Sequence, residues 1–414
     1  MKILALNCGS SSLKYQLYDW KYKRVDCLGV VEKIGLDEPS LKHRNLDKSC
    51  TLKDSTLTTH ANALTLVVNM LLDGIYGEIN SMSEIYAVGH RVVHGGDRFT
   101  RSTRITDTAL DLLGKISVLA PLHNPPNLAG IRAAKSIMPN ALQVAVFDTA
   151  FHQSMPEVAY QYAIPRKWYN DHHVRRYGFH GTSHLYVSKR AAVMLGKPAK
   201  ECNLIIMHIG NGVSVTAIKN GVSVDTSMGF TPLEGAIMGT RSGDLDPAIP
   251  LYMQQQLGTT ADAISAALNR ESGLLGITDK YVDRRDILQC AEKGDEQCKL
   301  AVDMEIYRLK KYFGMYAATL GRVDAVVFTA GVGENSGIIR QGVMEGLEHF
   351  GVFLDRELNL ATVSSSGETM ISTEESPVKV FMIPTNEELV LIEDVVGVLD
   401  GTYDDHMHYK YSFA

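Results

Sequence analysis

The sequence predicts an α/β chain in which one fold occurs twice, and three stretches lead to that reading. Residues 204–225, LIIMHIGNGVSVTAIKNGVSVD, open with an apolar run and break at Gly210-Asn211-Gly212. They resume as alternating residues over 213–218, turn at Asn220-Gly221 and run on through 222–224. Asn-Gly between alternating runs is the strongest short hairpin signal. The start of the chain repeats the pattern, with an apolar strand at Ile3-Leu4-Ala5-Leu6, a small polar turn over 7–12, a strand over 13–18 and another over 25–31. The third stretch is Ala325-Val326-Val327-Phe328, again an apolar strand, running into the glycine turn 329–335. A single glycine turn is ordinary. Three, each after a buried-type strand, point to duplication.

Glycines at such breaks let the backbone take φ > 0 and let a bulky anion approach main-chain N–H groups. The turns are therefore candidate phosphate holders, and a duplicated fold built on them is expected to hold a nucleotide between its halves. A length of 414 residues exceeds one typical core and implies two domains. Apolar content of 45% with 21% charged residues is ordinary for a soluble globular chain. The net charge of −6 argues against a nucleic-acid binder. Cys8, Cys27, Cys50, Cys202, Cys290 and Cys298 form no CxxC pair, which suits reduced thiols in the cytoplasm. The N-terminal apolar run is too short for a signal peptide or a membrane span.

Taken in order, 40–58 reads as a loop or a solvated hairpin and 61–72 as a helix by its apolar spacing. A short strand over 85–88 ends in Gly89-His90-Arg91-Val92-Val93-His94-Gly95-Gly96. An arginine among glycines at a strand exit suits an anion, because its planar fork bonds two oxygens. Residues 106–119 read as a helix, and the prolines of Pro121-Leu122-His123-Asn124-Pro125-Pro126 suit the first turn of the helix that follows to 137. The strand 143–147 ends in Asp148, where open α/β sheets place functional carboxylates; a helix cap or turn is the structural alternative. The domain boundary falls near 149–156.

Beyond it, 160–176 is aromatic and basic, and Tyr177-Gly178-Phe179-His180-Gly181-Thr182-Ser183-His184 leads into a helix stopped by Gly196. His180 and His184 are spaced like metal ligands, but no third ligand accompanies them; His180 is better placed to donate to an anion. The segment 226–250 is a long glycine- and proline-rich loop carrying Arg241, and such loops are usually functional. A helix is expected over 261–268, an apolar glycine-rich loop over 272–277, and a further helix opened by Asp283-Arg284-Arg285-Asp286, whose charges read as a solvated face. A helix over 300–320 feeds the third strand. A strand over 378–383 precedes Pro384-Thr385-Asn386-Glu387-Glu388 and a last helix, 388–399. Thr385 with Glu388 makes a capping box, which leaves Glu387 spare.

No GxxxxGK[ST], GxSxG, HRD or DFG occurs, and Gly331-Val332-Gly333 does not complete GxGxxG. Glycine turns, two arginines, a histidine, a strand-end aspartate and a spare glutamate suit phosphoryl transfer, where positioning and charge stabilisation supply nearly all of the catalysis.

The segments NCGSSSLK (7–14), GHRVVHGG (89–96), PLHNP (121–125), FDTAF (147–151), RYGFHGTSH (176–184), HIGNGVS (208–214), 228–247, SGLLGI (272–277), FTAGVGEN (328–335) and IPTNEEL (383–389) resemble the acetate kinase family of the actin-like, sugar-kinase and heat-shock-ATPase superfamily. They span nearly the whole chain in order. The resemblance implies two duplicated actin-like (ribonuclease H-like) domains facing a central cleft, one of 1–149 plus 387–414 and one of 150–386. It implies ATP/ADP as co-substrate and Mg²⁺, with Mn²⁺ as a substitute, at Asn7 and Glu387. Lys14 and the turn His208, Ile209, Gly210, Asn211, Gly212 would contact the nucleotide phosphates. Asp283, Arg284 and Arg285 with Gly331, Val332, Gly333, Glu334 and Asn335 would hold the adenosine part, which replaces the solvated-face reading of 283–285. Arg91 and Arg241 would bind the carboxylate and the phosphoryl group, with His180 and Arg241 stabilising the transition state and His123 nearby. Asp148 is the family's acid/base residue, but ionised acetate needs no deprotonation, so an orienting role is expected. Val93, Leu122, Phe179 and Pro232 would line an apolar pocket for the substrate methyl. Thr278-Asp279-Lys280 departs from the family's usual residues, and the tail is somewhat long. The resemblance implies a cytoplasmic homodimer that phosphorylates acetate. A propionate kinase on the same scaffold is the near alternative, and a non-enzymatic nucleotide-binding module of the actin or chaperone type the distant one.

Overall fold

The computed structural model describes every residue from Met1 to Ala414. It divides into two compact units, Met1–Phe151 with Asn386–Ser412, and His152–Thr385 with Phe413–Ala414.

In the first unit, β1 (Lys2–Cys8), β2 (Ser12–Asp19), β3 (Arg24–Glu32), β4 (Ser40–Asn45), β5 (Ser49–Lys53), β6 (Ile85–Val92), β7 (Thr103–Arg104) and β8 (Leu142–Phe147) form one sheet in the order β5-β4-β3-β2-β1-β6-β8-β7. β1, β2 and β3 run antiparallel as hairpins, whereas β1, β6 and β8 are parallel. Side chains alternate between faces with period two. Ile3, Ala5, Ala87, Val144 and Val146 therefore share one face, which packs against Leu391, Ile392, Val395 and Val396 of the C-terminal helix Glu387–Asp400. Leu4, Leu6, Leu13 and Val88 point the other way, onto the helices His60–Leu71 and Asn124–Ile137.

In the second unit, β9 (Leu204–Ile209), β10 (Val213–Lys219), β11 (Val222–Thr226), β12 (Ala325–Thr329), β13 (Thr369–Met370) and β14 (Lys379–Met382) take the order β11-β10-β9-β12-β14-β13. The five strands from β11 to β14 in that order repeat part of the first sheet: three antiparallel neighbours joined by hairpins, then two parallel ones. β9 and β12 are buried throughout, which explains their unbroken apolar runs. The turn between β10 and β11 has φ of 53° at Asn220 and 81° at Gly221, the pair of positive angles a type I′ turn requires. No helix is long and apolar enough to cross a membrane.

Four local expectations are corrected. β6 does not stop at residue 88 but runs through Gly89 to Val92. Gly89 is a packing residue there, since a Cβ on it would lie 2.2 Å from Leu391 Cδ2. The third glycine stretch is not a turn but a short helix, Ala330–Asn335. β12 lies parallel to both neighbours, so the chain must cross over, and it does so through the helices Ala330–Asn335 and Gly337–Met344. Residues 272–277 are not a loop: Gly273–Thr278 is a helix whose Leu274 enters an apolar cluster with Ile237, Ile287 and Ala301. Thr385 does not cap the last helix. Asn386 does, its side chain accepting from Leu389 N at 3.0 Å, while the Thr385 hydroxyl donates to Ser183 Oγ.

Candidate active site

Strand register assembles the polar residues of the first unit. Asn7 lies across from Lys14 on β2 and from Arg91 on β6. Directly paired residues project from the same face, so Lys14, Asn7 and Arg91 form a row at the carboxyl ends of the parallel strands. Just past β8, the buried Asp148 accepts from Arg91 Nε at 2.9 Å and from Nη2 at 2.8 Å. Glu387, in the first turn of the C-terminal helix, brings Oε2 to 3.7 Å from Arg91 Nη2. This helix covers the face the row extends, so packing carries Glu387 to it. Burial works against the Arg91 charge, but Asp148 and Glu387 outweigh it and raise its pKa. Burial pushes the Asp148 carboxyl above the usual carboxylate range against the pull of Arg91.

Two residues that sequence reasoning passed over hold the loop after β6. Asn127 accepts from Val93 N at 3.1 Å and donates to Cys8 O at 2.7 Å, tying the ends of β1 and β6 together. Asn124 accepts from His94 N and donates to His94 O. The asparagine of the PLHNP segment was the available signal. His123 sits at the N-cap of the same helix, and Leu122 beside it is 47% exposed.

In the second unit, the register repeats the row with different chemistry: His208 lies across from Ser214 on β10 and Thr329 on β12. The following turn is closed by Gly210 N donating to Gly212 O. Two side chains converge on it. A Cβ built on Gly212 would lie 3.3 Å from His180 Nε2 and 3.6 Å from Arg241 Nη1. His180 caps the helix Gly181–Leu195 in the left-handed region, φ 56°, and stacks on His208 with centroids 4.1 Å apart. The half-buried Arg241 donates from Nη1 to Pro232 O at 3.2 Å and contacts Met238 Sδ. No carboxylate answers it, and burial lowers its pKa. Its loop is pinned by Leu274 N to Met238 O and Leu275 N to Gly239 O, while Asn211 O accepts from Gly239 N. Gly273, at φ +63°, allows this approach, because a Cβ there would lie 2.2 Å from Met238 O. Phe179 is buried, and its carbonyl accepts from His152 Nε2.

The expected adenosine segments divide. Arg285 is exposed and pairs with Asp283, the N-cap of the helix Arg284–Glu292. Arg284 turns inward, donating from Nε and Nη2 to Glu305 Oε1 at 2.8 and 2.7 Å. Glu334 is buried, accepting from Ala330 N at 2.8 Å and Thr385 N at 3.1 Å. Gly331 and Asn335 are exposed on the same short helix, and Val332 is half-buried. Gly333 O and Glu334 O accept from Arg340, a fully buried guanidinium that sequence reasoning did not single out.

A chain with these features has known relatives. The acetokinase family model matches residues 2–393. An acetate kinase of Trichlorobacter lovleyi is 57% identical over the whole chain and 98% of its own length. One of Geobacter metallireducens is 56% identical, also over the whole chain and 98% of its own length. Among solved structures, Porphyromonas gingivalis acetate kinase superposes with a TM-score of 0.91 at 44% identity, covering 96% of this chain and 99% of that one. A propionate kinase from Francisella tularensis gives 0.88 at 39%, over 95% and 98% of the two chains.

Proposed function

The chain belongs to the acetokinase family, and on that premise we propose that it transfers the γ-phosphoryl group of ATP to acetate, giving acetyl phosphate and ADP, reversibly and by direct in-line displacement. Arg241 carries this reading. A half-buried guanidinium whose protein partners are a carbonyl and a thioether, beside a histidine at a glycine turn, is a cation awaiting an anion. A phosphoryl group passing between two anionic oxygens needs such donors on its equatorial oxygens, and preorganised donors act there without reorganisation cost.

Arg241 and His180 take the charge of the transferring group, and Arg91 takes the substrate carboxylate. Asp148 holds the Arg91 fork in place and abstracts no proton. Lys14 and the main-chain N–H groups of 208–212 meet the nucleotide phosphates, with His123 close to the transferred group. Asp283 and Arg285 with Gly331–Asn335 receive the adenosine, and Arg284 braces the helix beneath them. We assign the substrate methyl to Val93, Leu122 and Pro232, with the buried Phe179 as the fourth apolar residue of that set. The amide oxygen of Asn7 and the carboxylate of Glu387, each next to Arg91, make an all-oxygen donor set. Such a set suits a hard dication that keeps most of its waters, so these two would hold Mg²⁺ or Mn²⁺. When bound, that ion neutralises phosphate charge.

The likeness to the Francisella propionate kinase favours one competing reading, propionate as substrate. Val93 favours acetate, and one methylene in an apolar site decides only about 1–3 kcal/mol. The family and the six unpaired cysteines support a cytoplasmic enzyme, and the family supports a homodimer.

Arg241→Leu should lower kcat by about 10²-fold or more, the scale for loss of one preorganised donor, while KM for ATP moves only a few-fold. Steady-state kinetics on the purified variant decide it, and a near-normal kcat rejects the role.

A further inference from the structure

Beneath the stacked pair His180–His208 lie two serines that no part of the reading above uses. Ser214 Oγ is fully buried and touches two imidazoles, His180 Nδ1 at 2.9 Å and His184 Nε2 at 2.7 Å. Ser183 Oγ, also fully buried, lies 2.8 Å from His208 Nδ1 and receives the Thr385 hydroxyl at 2.9 Å.

Counting hydrogens gives these contacts a direction. Ser183 accepts from Thr385 and has one hydrogen of its own, with His208 Nδ1 as its acceptor. His208 Nδ1 is then bare, and the ring hydrogen sits on Nε2, which lies 3.9 Å from a Cβ built on Gly210. Ser214 also has one hydrogen, and two rings compete for it. If His184 Nε2 received it, the His184 hydrogen would move to Nδ1, a buried atom with no partner. A buried orphan N–H is the rarer and costlier arrangement. The alternative leaves only a lone pair unmet: His184 Nε2–H donates to Ser214, and Ser214 donates to His180 Nδ1. His180 then carries its hydrogen on Nε2, the atom 3.3 Å from the Gly212 position. Burial and the neighbouring His152 and His208 keep His184 neutral. Rings 4.1 Å apart cannot comfortably both be cations.

We propose that Ser214 and Ser183 are positioning residues that hold His180 and His208 as neutral tautomers with the hydrogen on Nε2, so that both rings present N–H donors to phosphoryl oxygens at the Gly210–Gly212 turn. The tautomers are argued from the hydroxyl contacts of Ser183 and Ser214 and the orphaned His184 Nδ1; their use rests on the phosphoryl-transfer reading. Both relays run the same way, from hydroxyl to Nδ1. A donor already oriented before substrate arrives avoids both a misplaced lone pair facing an anion and a tautomer exchange within turnover.

Imidazole ¹⁵N spectra of the full chain, labelled in histidine and assigned with single His→Gln variants, test the proposal alongside kinetics. In the wild type, His180 and His208 should each show a protonated-type Nε2 and a bare Nδ1 from pH 6 to 8. In Ser214→Ala, His180 should become a mixture of tautomers or titrate, with kcat lowered at least tenfold and KM for ATP within about twofold. Ser214→Thr, which keeps the hydroxyl, should restore both the spectrum and most of kcat. Hydrogen on Nδ1 of either ring in the wild type overturns the assignment. An unchanged kcat in a Ser214→Ala protein whose His180 has lost its fixed tautomer overturns the positioning role. A wild type that shows the assigned tautomers but no acetate-dependent ADP formation rejects the phosphoryl-transfer reading instead, and with it the use of the donors.

Discussion

Asp148 engages Nε and Nη2 of Arg91 and leaves Nη1 without a protein partner, so the pair reads as a held fork rather than a base and its substrate. An amide cannot accept both N–H groups, and its own NH₂ would face one of them. Asp148→Asn should therefore loosen Arg91 and lower kcat by roughly 10²-fold, as misplaced positioning groups do. The pH dependence of kcat should survive in the variant; disappearance of an acidic limb present in the wild type would reinstate Asp148 as a general base. Single residues were the hardest features to read from sequence. Asp148 and Arg241 announced themselves by position, at a strand end and in a glycine-rich loop. Arg284 looked solvated because its partner, Glu305, lies 21 residues on, in the helix Glu296–Leu320, and no local pattern joins them. Ser183 and Ser214 looked like ordinary turn and strand residues, since their meaning lies in which imidazole nitrogen they meet.

Elements place the charged groups, and the C-terminal helix does so most directly. It lies against β6 at Gly89, where a Cβ would meet Leu391 Cδ2 at 2.2 Å and Val395 Cγ2 at 2.8 Å. Gly89→Ala should cost about 1–3 kcal/mol by overpacking and should lower kcat, because the helix that carries Glu387 must shift. A denaturation midpoint and a kcat both equal to wild type would contradict this packing account. The same helix buries Asp394, which accepts from Ser102 Oγ at 2.6 Å and Tyr411 Oη at 2.7 Å, with Glu393 and Tyr403 also acting on it. Burial, ahead of the other influences, pushes its pKa from 3.8 to about 7. A folded-state pKa raised in this way means that the folded chain keeps a proton the unfolded chain has already lost. Stability from this group is thus highest below pH 4 and falls as pH rises from there to about 7. Asp394→Asn should remove that fall, so the Tm of wild type relative to the variant should decline across this window. Parallel Tm profiles would contradict it. Among elements, the Asn-Gly hairpin and the apolar strands were legible because period and turn chemistry agree. Two others were misread because glycine was taken as a turn signal: 330–335 and 273–278 are short helices whose glycines allow close backbone approach or leave a face exposed.

Across the whole molecule, the two sheets share a five-strand core of three antiparallel and two parallel neighbours, and each places a polar row on its first, second and fourth strands. The first unit's row, Lys14, Asn7 and Arg91, carries two cations; the second unit's, Ser214, His208 and Thr329, carries two hydroxyls and an imidazole. This repeat was visible in the sequence through its hairpins. Of the additional strands, β5, β7 and β13 carried little signal because they are short or largely exposed, and β4 with β5 lies in the stretch 40–58, which reads as a loop or a solvated hairpin. On the proposed reading Arg91 serves the carboxylate and Lys14 the nucleotide phosphates, and a nucleotide-gated module would have no use for the first. The most direct test is acyl phosphate formation trapped with hydroxylamine, with ATP and Mg²⁺, run side by side on acetate, propionate and butyrate. Acetate should give hydroxamate with the highest kcat/KM. Product led by propionate would contradict the assignment of acetate as substrate, and folded, ATP-binding protein that yields no acyl phosphate from any of the three would contradict phosphoryl transfer to a carboxylate.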